Sequence, residues 1–200
     1  MIAASDVTGL VLAGGLGRRM SDDGSGLDKG LVVLRGRPMV AHVIERFAPQ
    51  VAALLINANR NANAYRAFGH PVVADDIEGF AGPLAGVHAG LRAARTPYVA
   101  TVPCDTPFLP ADLVARLAGA LDVAGADLAV ARSGAQPHPV FLLARCSLLA
   151  HLEAFLATGR RRVDAWYASL RVAEVDFGDA AAFVNVNTPE DLARLEHAPP

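Results

Sequence analysis

Apolar, β-branched runs of strand length alternate with helically spaced apolar positions over the first 130 or so residues. TGLVLA (8–13), VAALLIN (51–57), PVVAD (71–75) and PYVATVPCD (97–105) read as strands, because near-continuous apolar runs suit strands covered on both faces. GLVVL (30–34) reads as a short extended piece. Helical spacing marks PMVAHVIERFAP (38–49), GPLAGVHAGLRAAR (82–95) and PADLVARLAGALD (110–122), each with a proline at or near its start. NANAYRAFG (61–69) is a short helix stopped by glycine. Such alternation means βαβ units and a mainly parallel sheet.

The last third departs from strict alternation and leaves room for one antiparallel strand. ADLAVAR (126–132) and HPVFLLAR (138–145) read as strands joined by the turn SGAQP. SLLAHLEAFLATG (147–159) is helical and RVAEVDF (171–177) a strand. TPEDLARLEH (188–197) carries Thr188 as N-cap, Pro189 at N1 and acids in its first turn, a complete helix start. The expected architecture is an α/β Rossmann-like fold with helices on both faces of the sheet. No fixed-period repeat and no linker divides the 200 residues, so one domain is expected over 1–200.

Composition narrows the function classes. A net charge of −2 gives no field to draw nucleic acid or a membrane surface. Two cysteines, Cys104 and Cys146, are too few for a disulfide framework and point to a reducing compartment. The start, MIAASDVTG, has neither the basic nor the apolar region of a secretory signal, and no apolar run reaches bilayer-spanning length. A cytoplasmic location is expected, with no nucleic acid and no membrane among the partners. Of 18 basic residues one, Lys29, is lysine and the other 17 are arginine.

Lys29 lies in LVLAGGLGRRMSDDGSGLDKG (10–30), a glycine-rich stretch after the first strand. Open parallel sheets bind ligands outside the carboxyl ends of their strands. Gly14 and Gly15 let backbone amides approach an anion closely. Two phosphate motifs fail here. Met20 stands where the dinucleotide fingerprint needs a small third residue, and Asp28 and Gly30 around Lys29 break the P-loop pattern. The stretch from 13 to 30 is longer than the ~12–15 residues of an ordinary loop. Its Arg18, Arg19 and Lys29 suit a polyphosphate, whose developing charge they would neutralise. The plain reading is a surface loop with solvated cations.

The chain resembles the molybdenum cofactor guanylyltransferases, the nucleotidyltransferases that join GMP from GTP to molybdopterin. The matching stretches are LAGG (12–15), RRM (18–20), DKG (28–30), INANR (56–60), GPLAG (82–86), PCDTPF (103–108) and NVNTPEDL (185–192). They fall in order over nearly the whole chain. The spacer between RRM and DKG, SDDGSGL, is longer than is usual in that family. The resemblance implies GTP and molybdopterin as substrates, Mg²⁺ as cofactor, and transient docking to molybdoenzymes or their chaperones. It implies a nucleotide-binding part over about 8–110 and a molybdopterin-binding part over about 126–197. It places Leu12, Ala13, Gly14, Gly15, Lys29, Asn57, Asp75 and Asp105 at GTP, with Asp105 on the metal and Lys29, Arg19 and Asp105 in the transfer step. LAGG with Gly15 resembles the guanine-using branch; an alanine before the second glycine marks the cytosine-using one.

The residues have readings of their own. Asp105 ends a strand in TVPCDTPF, and a lone carboxylate there suits Mg²⁺, which takes one or two carboxylates plus phosphate oxygens and water. The rival is a cap on the helix at 110, for which Asp112 lies closer. Asn57 and Asp75 also end strands; they can read a base or ribose, or Asn57 and Asn59 form a turn. Asn185 and Asn187 alternate with valines and so share one face of an extended segment. They serve the metal or second substrate, or Asn187 only precedes the Thr188 cap. Arg160, Arg161 and Arg162 either grip a phosphate or sit solvated at a helix start. His138, between Pro137 and Pro139, either sits near the pterin or, as the plainer reading, lies in a turn, and Cys104 reads as a small core residue. Rival functions are cytidylyl transfer to molybdopterin, nucleotidyl transfer to another small phosphorylated acceptor, and a non-catalytic nucleotide-binding module.

Overall fold

The structure, a computed structural model, describes residues 1–14, 28–77 and 82–197. Nine strands and seven α-helices follow in chain order among these residues: β1 (Val7–Leu12), β2 (Val33–Leu34), β3 (Arg37–Pro38), α1 (Met39–Phe47), β4 (Ala53–Asn57), α2 (Ala62–Arg66), β5 (Val72–Val73), α3 (Pro83–Ala93), β6 (Tyr98–Pro103), α4 (Leu113–Val123), β7 (Leu128–Ser133), β8 (Gln136–Arg145), α5 (Leu149–Ala157), α6 (Val163–Tyr167), β9 (Val172–Asp176) and α7 (Pro189–His197). Seven strands form one sheet in the order β5-β4-β1-β6-β8-β7-β9, and β2 and β3 form a separate two-stranded hairpin. In the large sheet only β8 runs antiparallel, pairing with β6 on one side and β7 on the other. The expected mainly parallel sheet with one reversed strand is what forms.

β1 is the most buried strand of the first half because it lies between β4 and β6 and is covered on both faces. Its Val7 and Val11 join Val40, Val43 and Phe47 of α1 and Leu113, Leu117 and Leu121 of α4 in one core layer. Its Leu10, pointing the other way, joins Leu84, Val87 and Leu91 of α3, Leu152 and Leu156 of α5, and Trp166 of α6. This two-sided burial is why the sequence pattern is a continuous apolar run instead of an alternation. Register then aligns the strand ends: Leu12 of β1 faces Asn57 of β4 and Pro103 of β6.

Several elements are shorter or placed differently from the sequence pattern. Residues 29–31 form one 3-10 turn, closed by Leu31 N–H to Asp28 O at 3.0 Å, so only Val33–Leu34 of the expected 30–34 piece is extended. Pro38 is the N-cap of α1, not its first helical residue, and α4 starts at Leu113 with Asp112 at the cap position. His138 lies within β8, as the strand reading of 138–145 has it, and not in a turn. The prolines beside it are tolerated because β6 pairs with β8 only over Leu142–Arg145, leaving one side of residues 136–141 without a ladder. α6 follows the three arginines, with Arg162 at its cap position, where the sequence reading has a helix start as one alternative. The start of α7 forms as expected. Thr188 Oγ1 accepts from Asp191 N–H at 3.2 Å while the Asp191 carboxylate accepts from Thr188 N–H at 3.1 Å, a reciprocal capping box. No helix among the described residues is long and apolar enough to cross a membrane.

Candidate active site

The aligned ends of β1, β4 and β6 set the floor of the site. Ala13 N–H donates to Asn57 O at 2.8 Å and Cys104 N–H donates to Leu12 O at 3.0 Å, so the ladder runs into the residues that follow each strand. Asp105 emerges two residues past β6. Lys29 reaches it from the turn after the glycine-rich stretch, with Nζ 3.1 Å from Asp105 Oδ2 and both side chains largely buried. Lys29 Nζ also donates to Asn187 Oδ1, which arrives just before α7. Three segments far apart in the chain thus meet at one ammonium group.

An ammonium carries three N–H donors. Asp105 and Asn187 take two, which leaves one for an incoming oxygen among the described residues. Asp105 Oδ1 is buried and has no hydrogen-bond partner among the described residues. A buried carboxylate oxygen left unpaired is costly unless something fills the gap. A hard divalent cation fits that gap: one carboxylate oxygen and a neighbouring amide oxygen are typical Mg²⁺ donors, with phosphate and water completing the shell. No cluster of three or more His, Cys, Asp or Glu is present among the described residues, so the donor set is an open one and not an all-protein cage.

A second polar group lies at the tips of β4 and β5. The Asp75 carboxylate accepts from Asn57 Nδ2 at 2.8 Å and from Asn59 Nδ2 at 2.7 Å, and Asp75 N–H donates to Asn59 Oδ1 at 2.8 Å. Gly14 lies against the Asn57 and Asn59 side chains. Asn57 is 3% exposed and presses on Gly86 of α3, where a Cβ would stand 2.3 Å from Asn57 Oδ1. The GPLAG glycine therefore makes room for the asparagine that orients Asp75. The turn-forming reading of Asn59 and the site reading of Asn57 both hold locally, because both amides converge on one carboxylate.

NVNTPEDL clamps the Asp105 loop from the other side. Val186 N–H donates to Asp105 O at 2.9 Å, and Thr106 Oγ1 donates to Asn185 Oδ1 at 2.5 Å. Asn185 thus meets Thr106, while Asn187 meets Lys29. Next to Asn185, the His138 ring stacks on Phe183 with centroids 4.3 Å apart, and its Nε2 lies 2.8 Å from Ser133 Oγ. Burial lowers the His138 pKa below the ordinary histidine value. Burial also pushes the Cys104 thiol well up, so it is a protonated core group and not a nucleophile.

The three arginines stay at the α5–α6 junction. Arg160 lies over the Phe155 ring, Arg161 donates to Leu156 O at 2.8 Å, and Arg162 pairs with Asp164. These contacts lie within α5, α6 and the stretch that joins them. Gly15, Arg18, Arg19 and Met20 lie outside the described residues.

Sequence reasoning missed the anchor of Lys29. Asp28 accepts from the Tyr65 hydroxyl and from Asn61 Nδ2, the latter at 3.0 Å. Only the run Asn57, Asn59, Asn61 hinted that polar side chains line this edge. Tyr65 lies in the short helix 61–69 of the sequence reading with no role of its own.

The MobA-like NTP transferase domain matches residues 9–173. The molybdenum cofactor guanylyltransferase of Cupriavidus necator is 53% identical over 98% of this chain and 99% of its own. That of Methylibium petroleiphilum is 52% identical over 98% of each chain. The crystal structure of molybdopterin-guanine dinucleotide biosynthesis protein A from Archaeoglobus fulgidus superposes with a TM-score of 0.77 at 25% identity, covering 94% of this chain and 96% of that one. The 4-diphosphocytidyl-2C-methyl-D-erythritol synthase of Anaerococcus prevotii shares the fold alone, with a TM-score of 0.76 at 12% identity over 96% of this chain and 95% of that one.

Proposed function

The chain belongs to the MobA-like NTP transferase family, and on that premise we propose that it transfers GMP from GTP to the molybdopterin form of the molybdenum cofactor. The products are the guanine dinucleotide form of the cofactor and pyrophosphate. The observation that carries this reading is the end-to-end similarity to guanylyltransferases, at 53% over 98% of the chain. The convergence of Lys29, Asp105 and Asn187 at the strand ends supports it.

The phosphate of molybdopterin attacks the α-phosphorus of GTP in line. A P–O bond forms to the acceptor oxygen as the bond to the β-phosphate breaks, and pyrophosphate leaves with the electron pair. A phosphate dianion needs no strong base, so this chain's contribution is positioning and charge neutralisation. We assign the remaining N–H of Lys29 to a non-bridging phosphate oxygen. Asp105 would hold Mg²⁺ through its unpaired oxygen. When bound, the ion supplies a positive charge that neutralises the phosphates. Asp75, fixed by Asn57 and Asn59, is assigned to the N–H donors of the nucleotide. Gly15 and Arg19 keep their assignment to the triphosphate by resemblance.

Residues of about 8–110 form the nucleotide half of the site in this reading, and about 126–197 the molybdopterin half. The stacked His138–Phe183 pair beside Asn185 is where we place the pterin side. Both cysteines are free thiols, which suits a reducing cytoplasm. The product would then pass to a molybdoenzyme or its chaperone by transient docking.

Incubation with molybdopterin, Mg²⁺ and either GTP or CTP, followed by mass measurement, tests the assignment. The guanine dinucleotide should form and the cytosine one should not. Product from CTP alone would move the chain to the cytidylyl reading, and GTP binding without product from any acceptor would make it a binding module.

A further inference from the structure

The neighbours of Lys29 on both sides touch one buried phenol. Tyr65 is 0% exposed. Its hydroxyl donates to Asp28 Oδ1, while Asn61 Nδ2 holds Asp28 Oδ2 at 3.0 Å. On the other side of Lys29, a Cβ on Gly30 would stand 2.5 Å from that same hydroxyl and 3.3 Å from Cβ and Sγ of Cys104. Cys104 is the residue before Asp105. The 28–32 turn is closed by Leu31 N–H to Asp28 O at 3.0 Å and Val32 N–H to Lys29 O at 3.2 Å, so the three residues around the lysine are tied together by backbone bonds.

We propose that Tyr65 is a positioning residue for the transfer reaction, acting through Asp28 and Gly30 to hold Lys29 Nζ against Asp105. The proposal rests on the role given to Lys29 above. α2 is only five residues long, and Asn61 enters it in a left-handed conformation with φ 53°. That unusual backbone turns its amide toward the carboxylate that Tyr65 also holds. Burial pushes the phenol pKa far up, so the hydroxyl remains a donor at every working pH. Asp28 thereby stays pinned by two donors on two different residues of one helix and its cap. A lysine on a four-carbon stem has many rotamers; pinning the backbone on both sides is what narrows them.

The alternative is that Tyr65 only fills the core, where its ring lies against Phe68. Tyr65→Phe separates the two, because phenylalanine keeps the ring and removes the hydroxyl. The test measures the single-turnover rate, the GTP Kd and Tm for Tyr65→Phe, Asn61→Gly, Lys29→Met and each of the first two combined with Lys29→Met. We expect Tyr65→Phe to lower the rate at least about tenfold with Kd within about threefold, since a misplaced charge affects the transition state more than the ground state. In the Lys29→Met background the same change should add less than about twofold, because a residue acting through the lysine has nothing left to position. A Tyr65→Phe rate within about twofold of wild type, or losses that multiply in the double variant, would overturn the proposal. Should Tyr65→Phe not fold, Asn61→Gly, which keeps the left-handed backbone and removes the amide from the same carboxylate, decides by the same comparison. If Lys29→Met alone is as fast as wild type, the role of the lysine fails first, and the proposal falls with it.

Discussion

Lys29 Nζ and Asp105 Oδ2 lie 3.1 Å apart as an ion pair, with both side chains largely buried. Removing either leaves the other exposed to an unbalanced environment as well as removing its own contact. Lys29→Ala is expected to cost about 10²–10³ in kcat, the usual loss of one transition-state donor, as read by pyrophosphate release. Asp105→Asn keeps the shape and loses the charge. Its rate should fall at least about 10²-fold, and the Mg²⁺ concentration for half-maximal rate should rise in a metal titration. An unchanged Mg²⁺ requirement would remove Asp105 from the metal. At this scale the sequence was informative where chemistry is local. Thr188, Pro189 and Asp191 declare their helix start within four residues. The pairing of Asp28 with Tyr65, 37 residues on, was not legible. A buried tyrosine in a helix looks like any other core residue, and no local pattern tells which acceptor its hydroxyl finds.

Gly86 separates two effects that act at the level of a helix. In α3 a glycine-to-alanine change should gain up to about 1 kcal/mol of helix propensity. The added methyl would meet Asn57 Oδ1 at 2.3 Å and Leu12 Cδ2 at 2.6 Å. Asn57 is buried and held by Asp75 and by Val73 O, so it cannot swing away without breaking those bonds. Packing should win over propensity. Gly86→Ala is expected to lower Tm and to raise the GTP KM, checked by thermal melts and steady-state kinetics; a raised Tm with unchanged KM would show that the pocket relaxes. The helices and buried strands were readable as elements because their periodicity is strong. Their ends were not: β5 stops after two residues and α4 starts three residues past Pro110, since hydrogen-bond partners on neighbouring strands and loops set those limits. For His138 the strand reading of 138–145 holds and the turn reading does not. Its flanking prolines fit because β7 pairs with this segment on one side while β6 leaves the other side without a ladder.

Over the whole molecule, the order β5-β4-β1-β6-β8-β7-β9 places the ends of β1, β4 and β6 side by side. It also brings the segment before α7 across to Lys29, 158 residues away along the chain. That closure was not visible in composition or spacing; only the resemblance joined those motifs. The reversed strand β8 ties the His138–Phe183 stack to the same edge. Because the folded state holds His138 with a lowered pKa, the unfolded chain binds its proton first on acidification. Stability is therefore full above the ordinary histidine value of 6.5 and declines as pH falls through it toward the lowered folded value. Asp127, Asp176 and Asp191, held below 3.8 by their hydrogen bonds, contribute a separate loss only at lower pH. Tm measured between about pH 7.5 and 5 should fall on acidification, and His138→Asn should flatten that fall. An equally steep fall in the variant would assign it to other groups.

The central claim is a place: a nucleotide laid across three strand ends, its α-phosphate between Lys29 and Asp105. A crystal structure with Mg²⁺ and a non-hydrolysable GTP analogue measures it directly. The account predicts an α-phosphate oxygen within hydrogen-bond reach of Lys29 Nζ, the ion on Asp105 Oδ1, and the nucleoside beside Asn57 and Asp75. Phosphates bound elsewhere, with the Lys29–Asp105 pair unchanged and facing away from them, would contradict it.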